Sequence, residues 1–186
     1  GVKQSFWGGR GEWTLALYDI EKKNLLSTDP NNSQVVRQVG QQSSRGVELS
    51  AALQITETLR YEGNVALLQA EYDTFVSGTN DYAGNRPINV PEQVINSWLT
   101  WAFLPQWEAR VGAQWVGDIY GDYANTQKRP DFTVVNVGLD YHIDDKSTIT
   151  LRGFNVFDEV YATQGDDTMW QLAPPRSAEI SYRIKY

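Results

Sequence analysis

The feature that most constrains this chain is a hydrophobic period of two residues that returns in one segment after another. In residues 133–143, Val135 and Val137 lie on one face of the predicted strand, while Asn136 and Asp140 lie on the other. The same alternation occurs in three further segments, 47–55, 107–119 and 177–186. Strict alternation is typical of strands with one apolar and one polar face. The chain is therefore predicted to be all-β.

The predicted connections alternate between short and long. Nine strands are predicted, at residues 2–7, 11–26, 34–55, 58–76, 94–104, 107–119, 131–143, 147–161 and 177–186. Short turns are predicted at residues 7–11, 56–58, 105–106 and 144–146, and long polar loops at 27–33, 77–93, 120–130 and 162–176. Outer-membrane barrels alternate short periplasmic turns with long extracellular loops in this way. We therefore predict an antiparallel up-and-down transmembrane β-barrel.

Aromatic residues make up 12% of the chain and are concentrated near the predicted strand ends. One group lies near the short turns and includes Trp107 and Tyr141, and the other lies near the long loops and includes Trp115 and Phe132. The two interfaces of a bilayer select two such bands of rings. A soluble β-sandwich would also use aromatic residues in its core. It would explain neither the alternation in loop length nor the length of the strands.

Composition argues against several function classes. The net charge is −7, whereas a nucleic-acid-binding domain needs a basic face. The chain has no cysteine and one histidine, His142, and no catalytic or phosphate-binding motif is present. The acidic residues around the turn at 144–146 are of the kind that populate turns. We predict that the chain is not an enzyme and that it holds neither a cofactor nor a metal.

Six segments resemble, in order along the chain, motifs in the β-barrel of TonB-dependent outer-membrane receptors, above all those for ferric siderophores. The segments are 12–29, 39–50 with Arg45, Gly46, Val47 and Glu48, 89–98 with Pro91 and Trp98, 115–126 with Gly117, Tyr120, Asp122 and Asn125, 151–161 with Asn155, Phe157, Asp158 and Tyr161, and 174–186. One such match alone is weak, whereas six in the family's order are a specific signal.

The resemblance implies a fold, a location and a function. The family's barrel has 22 strands and a plugged lumen, so residues 1–186 are expected to form its C-terminal part, with about nine strands and without the plug or the first half. The implied location is the bacterial outer membrane. The implied function is TonB-dependent uptake of a ferric siderophore. The implied partners are a TonB-type energy-coupling protein acting through the missing N-terminal region, the outer-membrane assembly machinery, the lipid bilayer and lipopolysaccharide, with no nucleic acid.

The resemblance also directs attention to particular residues. A siderophore already saturates its iron, so a receptor needs contact surface rather than metal ligands. Five loop residues have suitable chemistry for stacking, cationic or soft apolar contact: Tyr82, Arg86, Tyr123, Met169 and Trp170. The last strand resembles the signal that the assembly machinery recognises, carried by Ile180, Tyr182, Ile184 and Tyr186. Charged residues are expected to line the barrel interior: Arg60, Glu62, Glu108, Arg110, Asp118, Asp140, Arg152, Arg183 and Lys185.

Other functions remain open at this point. The cargo could instead be cobalamin, haem or an oligosaccharide, because part of the specificity would lie in segments that this sequence does not contain. A different class of function is a small autonomous barrel that acts as a passive pore or a structural anchor. A barrel enzyme is disfavoured, since no nucleophile–histidine constellation exists.

Overall fold

The computed structural model describes residues 1–29, 32–166 and 168–185 and consists almost entirely of β-strands. The strands are β1 Val2–Phe6, β2 Gly11–Asp29, β3 Asn32–Gln54, β4 Leu59–Thr74, β5 Val76–Ser77, β6 Asn80–Asp81, β7 Gln93–Leu104, β8 Trp107–Val116, β9 Ile119–Tyr120, β10 Lys128–Arg129, β11 Phe132–His142, β12 Ser147–Phe154, β13 Ala162–Gly165, β14 Trp170–Leu172 and β15 Ser177–Ile184. A 3-10 turn, Trp7–Gly9, separates β1 from β2. In the described part of the chain, no helix has the length and apolar character to cross a membrane.

The nine long strands form one antiparallel sheet in the order β1-β2-β3-β4-β7-β8-β11-β12-β15. Each long strand pairs with the next long strand in the sequence, so the sheet is an up-and-down meander. The predicted all-β class, antiparallel order and nine strands are therefore confirmed. The six short strands form three separate hairpins within the connections. Among the described residues, β1 and β15 lie at opposite edges and do not pair with each other.

The register aligns side chains of one kind on each face of the sheet. Val111 on β8 lies opposite Leu99 on β7 and Val137 on β11, so three aliphatic side chains are neighbours on one face. The preceding residue, Arg110, lies opposite Thr100 on the other face. The apolar face is largely exposed, with Val111 at 43%. Such exposure is what the predicted transmembrane barrel requires, since the outer face of a barrel meets lipid.

Buried apolar residues are few and are concentrated towards the end of the sheet with the long connections. Among the described residues they are Ala70, Tyr72, Ile119, Val134 and Ala162. The wall of the sheet therefore has no packed core of its own. The compact part of the molecule lies where the long connections fold onto one another.

Aromatic rings line both ends of the apolar face. At the short-turn end, ring centroids are 5.6 Å apart for Trp101 and Phe103, 6.5 Å for Phe103 and Trp107, and 4.6 Å for Trp107 and Tyr141. At the other end of β8, Trp115 Nε1 donates a hydrogen bond to Asp131 Oδ2 at 2.9 Å. The structure therefore places rings at both ends of β8, as the sequence predicts.

The polar face carries the predicted charges, with one exception. Arg60 pairs with Glu62 at 2.7 Å, and Arg110 pairs with Glu108 at 2.7 Å. Both pairs join residues two apart on the same strand. Asp118 does not lie on this wall, because β8 ends at Val116 and Asp118 belongs to the connection that follows.

One aromatic residue lies on the polar face because a glycine opposite makes room for it. Trp98 pairs with Gly112, and a Cβ added at Gly112 would overlap the indole ring of Trp98. The ring therefore covers the backbone of the neighbouring strand. This places Trp98 on the polar face of β7, where the sequence pattern was apolar on both sides.

Four predicted boundaries are wrong. The loop predicted at 27–33 is largely strand, since β2 continues to Asp29 and β3 begins at Asn32. Ser27 stabilises this extension, because its Oγ donates to the carbonyl of Val76 at 2.9 Å and accepts from the N–H of Val76 at 2.8 Å. The strand predicted at 58–76 ends at Thr74, and the short hairpin of β5 and β6 follows.

The strands predicted at 107–119 and 147–161 are also too long. The first ends at Val116, and Ile119 then pairs with Arg129 in a separate hairpin. The second ends at Phe154, because Asn155 adopts a left-handed conformation with φ 48°. The Asn155 side chain then bonds both to the N–H and to the carbonyl of Glu159, which fixes a turn instead of a strand.

Candidate functional site

Three long connections fold together at one end of the sheet, and we call residues 75–92, 117–131 and 155–176 the loop cluster. Side-chain amides of asparagine residues join the first two of them through hydrogen bonds to backbone N–H and carbonyl groups. Asn125 accepts from the N–H of Arg86 at 2.7 Å and donates to its carbonyl at 2.8 Å. Asn85 Nδ2 donates to the carbonyl of Tyr123 at 2.7 Å. These bonds join the first two connections into one unit.

Arg86 forms the charged centre of this unit. Its side chain is 9% exposed and pairs with Asp118 at 2.6 Å and Glu92 at 3.2 Å. Its guanidinium lies over the ring of Tyr120, with Cζ 4.5 Å from the ring centroid. Burial raises the pKa of Asp118, but the hydrogen bond and charge of Arg86, followed by those of Lys128, outweigh it and hold that pKa below its ordinary value.

Four aromatic rings pack beside this charged group. Tyr72 stacks on Phe75 with centroids 4.5 Å apart. Tyr123 meets Phe75 at 4.9 Å and Tyr82 at 5.6 Å. These rings form a small hydrophobic centre for the first two connections, beside Arg86.

A second buried arginine joins the third connection to the other two. Arg129 Nη1 donates to Asn89 Oδ1 at 2.7 Å, and Nη2 donates to the carbonyl of Asp166 at 3.2 Å. Its Cζ lies 5.3 Å from the ring centroid of Trp170. The hairpin formed by β13 and β14 is thereby attached to β10 and to residue 89.

The acidic residues in two of the loops are used inside their own turns. Asp122 accepts hydrogen bonds from the backbone of Thr126 and Gln127. Asp166 accepts from the hydroxyl of Thr168 at 2.6 Å, and this bond, with two backbone bonds, lowers the pKa of Asp166. Both carboxylates close turns. The described residues contain no group of three or more acidic or histidine side chains placed to hold a metal ion.

Comparison with known proteins gives the family. A model described as TonB dependent receptor-like, beta-barrel, matches residues 1–156. This chain belongs to the TonB-dependent receptor family. The metal-pseudopaline receptor CntO of Pseudomonas aeruginosa is 30% identical over 100% of this chain and 27% of that receptor. The ferrichrome outer membrane transporter/phage receptor of Escherichia coli is 30% identical over 80% of this chain and 20% of that protein.

A solved structure extends this relationship to the three-dimensional fold. The siderophore receptor PiuA of Acinetobacter baumannii matches with a TM-score of 0.88 at 27% identity, over 99% of this chain and 27% of that receptor. The chain thus spans about a quarter of the length of these TonB-dependent receptors.

Family membership gives the sheet an orientation. TonB-dependent receptors are β-barrel proteins of the outer membrane, so the sheet is a segment of barrel wall whose apolar face meets lipid. In bacterial barrels the short turns face the periplasm and the long loops face the outside. The loop cluster is therefore on the extracellular side, where a receptor meets its ligand.

The five predicted ligand contacts fall into two groups. Tyr82 and Tyr123 belong to the aromatic centre, and Arg86 is buried in its ion pairs. Met169 and Trp170 lie on the third connection and keep 68% and 46% of their surface exposed. The structure brings the first three together and places the last two on a separate hairpin that has more surface free for a ligand. Their role as ligand contacts stays a prediction.

Sequence reasoning did not single out Arg129 or Asn89. Arg129 lies in the polar stretch Gln127–Pro130, which predicts an exposed cation. It is buried in contact with Asn89, which is 40 residues away in the chain. No local sequence pattern predicts that contact.

The strand predicted to carry the assembly signal forms as expected. Ile180, Tyr182 and Ile184 lie on β15, opposite Leu151, Ile149 and Ser147 of β12. All three side chains are exposed on the apolar face. Tyr186 lies outside the described residues, and the recognition role of this strand stays a prediction.

Proposed function

We propose that the protein containing this chain takes up a ferric siderophore across the outer membrane in a TonB-dependent manner, and that this chain supplies barrel wall and extracellular loops. One observation carries the proposal: the match to PiuA covers 99% of the chain at a TM-score of 0.88, so it includes the long loops as well as the wall. Residues 1–186 would then be the C-terminal part of a 22-stranded barrel, with the plug and the remaining strands supplied by the rest of the protein.

The names of the relatives support this class of cargo. They include a metal-pseudopaline receptor, a ferrichrome transporter and a siderophore receptor. A vitamin B12 transporter of Photobacterium profundum also matches, at 23% identity over 82% of this chain. Cobalamin is therefore the second candidate cargo, and the relatives at higher identity favour siderophores.

The loop cluster supports binding by surface contact. A chelate that saturates its iron offers a large polar and aromatic surface, and a receptor recognises it by stacking and hydrogen bonding. Arg86 and Arg129 hold the three loops in fixed relation, so the exposed Met169 and Trp170 are presented on a rigid support. Such preorganisation reduces the entropy lost when the ligand binds.

Transport itself would require no bond chemistry in this chain. The energy-coupling protein would act through the absent N-terminal region, and the wall would enclose the path of the chelate. We infer that the receptor is not an enzyme. The outer-membrane assembly machinery would insert it, and lipid and lipopolysaccharide would cover its apolar face.

Uptake measurements on the whole receptor test this proposal. The complete gene is expressed in a strain that lacks its own siderophore receptors, and cells are supplied with chelates of radioactive iron or with labelled cobalamin. We expect uptake of at least one ferric chelate, saturable at low concentration and abolished when the energy-coupling protein is deleted. Uptake that persists without that protein would instead indicate a passive pore. Saturable uptake of cobalamin alone would assign the other cargo.

A further inference from the structure

Arg129 is a buried cation that forms no direct ion pair in the described part of the chain, although its charge interacts with that of Asp166 at longer range. It keeps 1% of its surface exposed, and among the described residues its Nε has no hydrogen-bond acceptor. Within residues 1–29, 32–166 and 168–185, no carboxylate oxygen lies within the 4.0 Å that defines an ion pair with it. Arg86, the other buried arginine of the loop cluster, has two such partners. The two arginines therefore occupy different electrostatic environments.

Burial of a cation without a direct ion pair is unfavourable, because the charge loses its hydration. Two carbonyl oxygens, one aromatic face and the more distant charge of Asp166 compensate for part of that loss. Apolar side chains of similar volume often replace buried ionic groups without loss of stability. Stabilisation of the loops therefore does not explain why residue 129 carries a guanidinium. Its role lies in the groups that it holds.

Those groups lie at the turn end of one hairpin, where Gly165 of β13 pairs with Trp170 of β14. Asn89 Oδ1 accepts from Arg129 Nη1 and from the N–H of Gly165 at 3.2 Å, while Asn89 Nδ2 donates to the carbonyl of Gly165 at 3.0 Å. These bonds fix the end of β13 that leads into the turn. The ring of Trp170, in β14, lies against the guanidinium and fixes the other arm. The planar guanidinium of Arg129 can donate to Asn89 and to the carbonyl of Asp166 and lie against Trp170 at the same time, whereas the single ammonium of lysine cannot.

We propose that Arg129 is a positioning residue for cargo binding: through Asn89 and Trp170 it holds the β13–β14 hairpin so that Met169 and the exposed part of the Trp170 ring contact the ligand. This inference rests on the proposed function and deepens it. A thioether beside an indole binds apolar and aromatic surface, so the hairpin would contact the organic, apolar or aromatic portion of the ferric chelate.

The first test separates position from stability in the full-length receptor. Arg129→Met removes the charge and keeps an unbranched side chain, and Arg176→Met removes the same charge at an exposed position of the third connection. A spin label at Leu172, in β14, and another at Ala124, in the second connection, report the distance between the hairpin and its support. We expect Arg129→Met to broaden the distance distribution while the unfolding temperature stays the same or rises. Arg176→Met should change neither quantity.

The second test measures affinity for the ferric chelate that the uptake assay identifies. We expect Arg129→Met to weaken binding about tenfold, which corresponds to the loss of one well-placed aromatic contact. Trp170→Ala should weaken binding by a similar factor. The double variant should bind more weakly than Trp170→Ala by clearly less than a further factor of ten, because part of the effect of Arg129 passes through that ring.

A second variant keeps the inference testable if Arg129→Met does not fold. Arg129→Lys retains the charge but not the planar guanidinium, and it should also broaden the distance distribution and weaken binding. A narrow distribution with unchanged affinity in either variant would overturn the inference. A loss of affinity in proportion to a fall in unfolding temperature would also overturn the inference, because a purely structural role gives that result. If the parent receptor binds no ferric chelate, the proposed function fails, and the spin-label distances still decide whether Arg129 holds the hairpin.

Discussion

Arginine placed at Val111 should destabilise the barrel strongly, because this residue lies midway between the two aromatic bands of the lipid-facing surface. Trp107 and Trp115 lie on the same face of β8, eight residues apart, which is about 27 Å along a strand. A strand tilt of about 40° reduces this to about 21 Å across the membrane. Val111 therefore lies about 10 Å from either band, near the middle of the hydrocarbon.

The expected loss follows from that depth. Arginine on the lipid face at the midplane costs about 2–4 kcal/mol and much less near the interfaces. Val111→Arg should therefore lower the free energy of unfolding of the full-length receptor by about that amount. The receptor is refolded into phospholipid vesicles and titrated with denaturant, while tryptophan fluorescence and gel mobility without heating report the folded fraction.

A matched variant on the opposite face provides the control. Ala52 lies on the polar face between Glu12 and Glu62 of the neighbouring strands, so Ala52→Arg adds the same side chain next to two carboxylates. Cross-strand pairs of opposite charge contribute about 0.2–1 kcal/mol, and Ala52→Arg should be neutral or slightly stabilising. Equal stability of Val111→Arg and the parent, or a larger loss for Ala52→Arg, would refute the assignment of the two faces.

Three further predictions address the loops, the wall and assembly. The pKa of Asp118 is lower in the folded receptor than in the unfolded chain. The stabilisation from its ionised carboxylate is therefore complete above the unfolded value of about 3.9 and is lost as the pH falls through the folded pKa. Between pH 5 and pH 2, the denaturation midpoint of Asp118→Asn should accordingly fall less than that of the parent. Gly112→Ala forces the indole of Trp98 to move and should lower the free energy of unfolding by about 1–3 kcal/mol. Gly138→Ala is the control, because its new Cβ would have its nearest neighbour at 3.7 Å, and it should change the free energy of unfolding little. Equal losses in the two variants would contradict the packing described. Deletion of Tyr186 from the complete receptor should reduce its amount in the outer membrane, measured by surface labelling, and an unchanged amount would exclude a role for this residue in the assembly signal.

The barrel wall was predictable because its constraint is local. Each strand separates lipid from a polar interior, so every second residue must be apolar, and Val135, Val137 and Leu139 follow that rule without reference to the rest of the chain. One of the failures depends on a group that is distant in the sequence. Ser27 extends its strand by bonding to Val76, which is 49 residues away, and no pattern around Ser27 contains that information.

The sequence by itself determined the period, the number of long strands, the short turns, three of the four long connections and, by resemblance, the family. Only the tertiary structure decided which loop residues are free to meet a ligand. Arg86 and Trp170 were equivalent candidates in the sequence, yet Arg86 is buried against Asp118 while Trp170 remains 46% exposed. The physical reason is that burial in the loop cluster depends on contacts between residues 32 to 40 positions apart, and such contacts exist only once the sheet has brought the connections to one end.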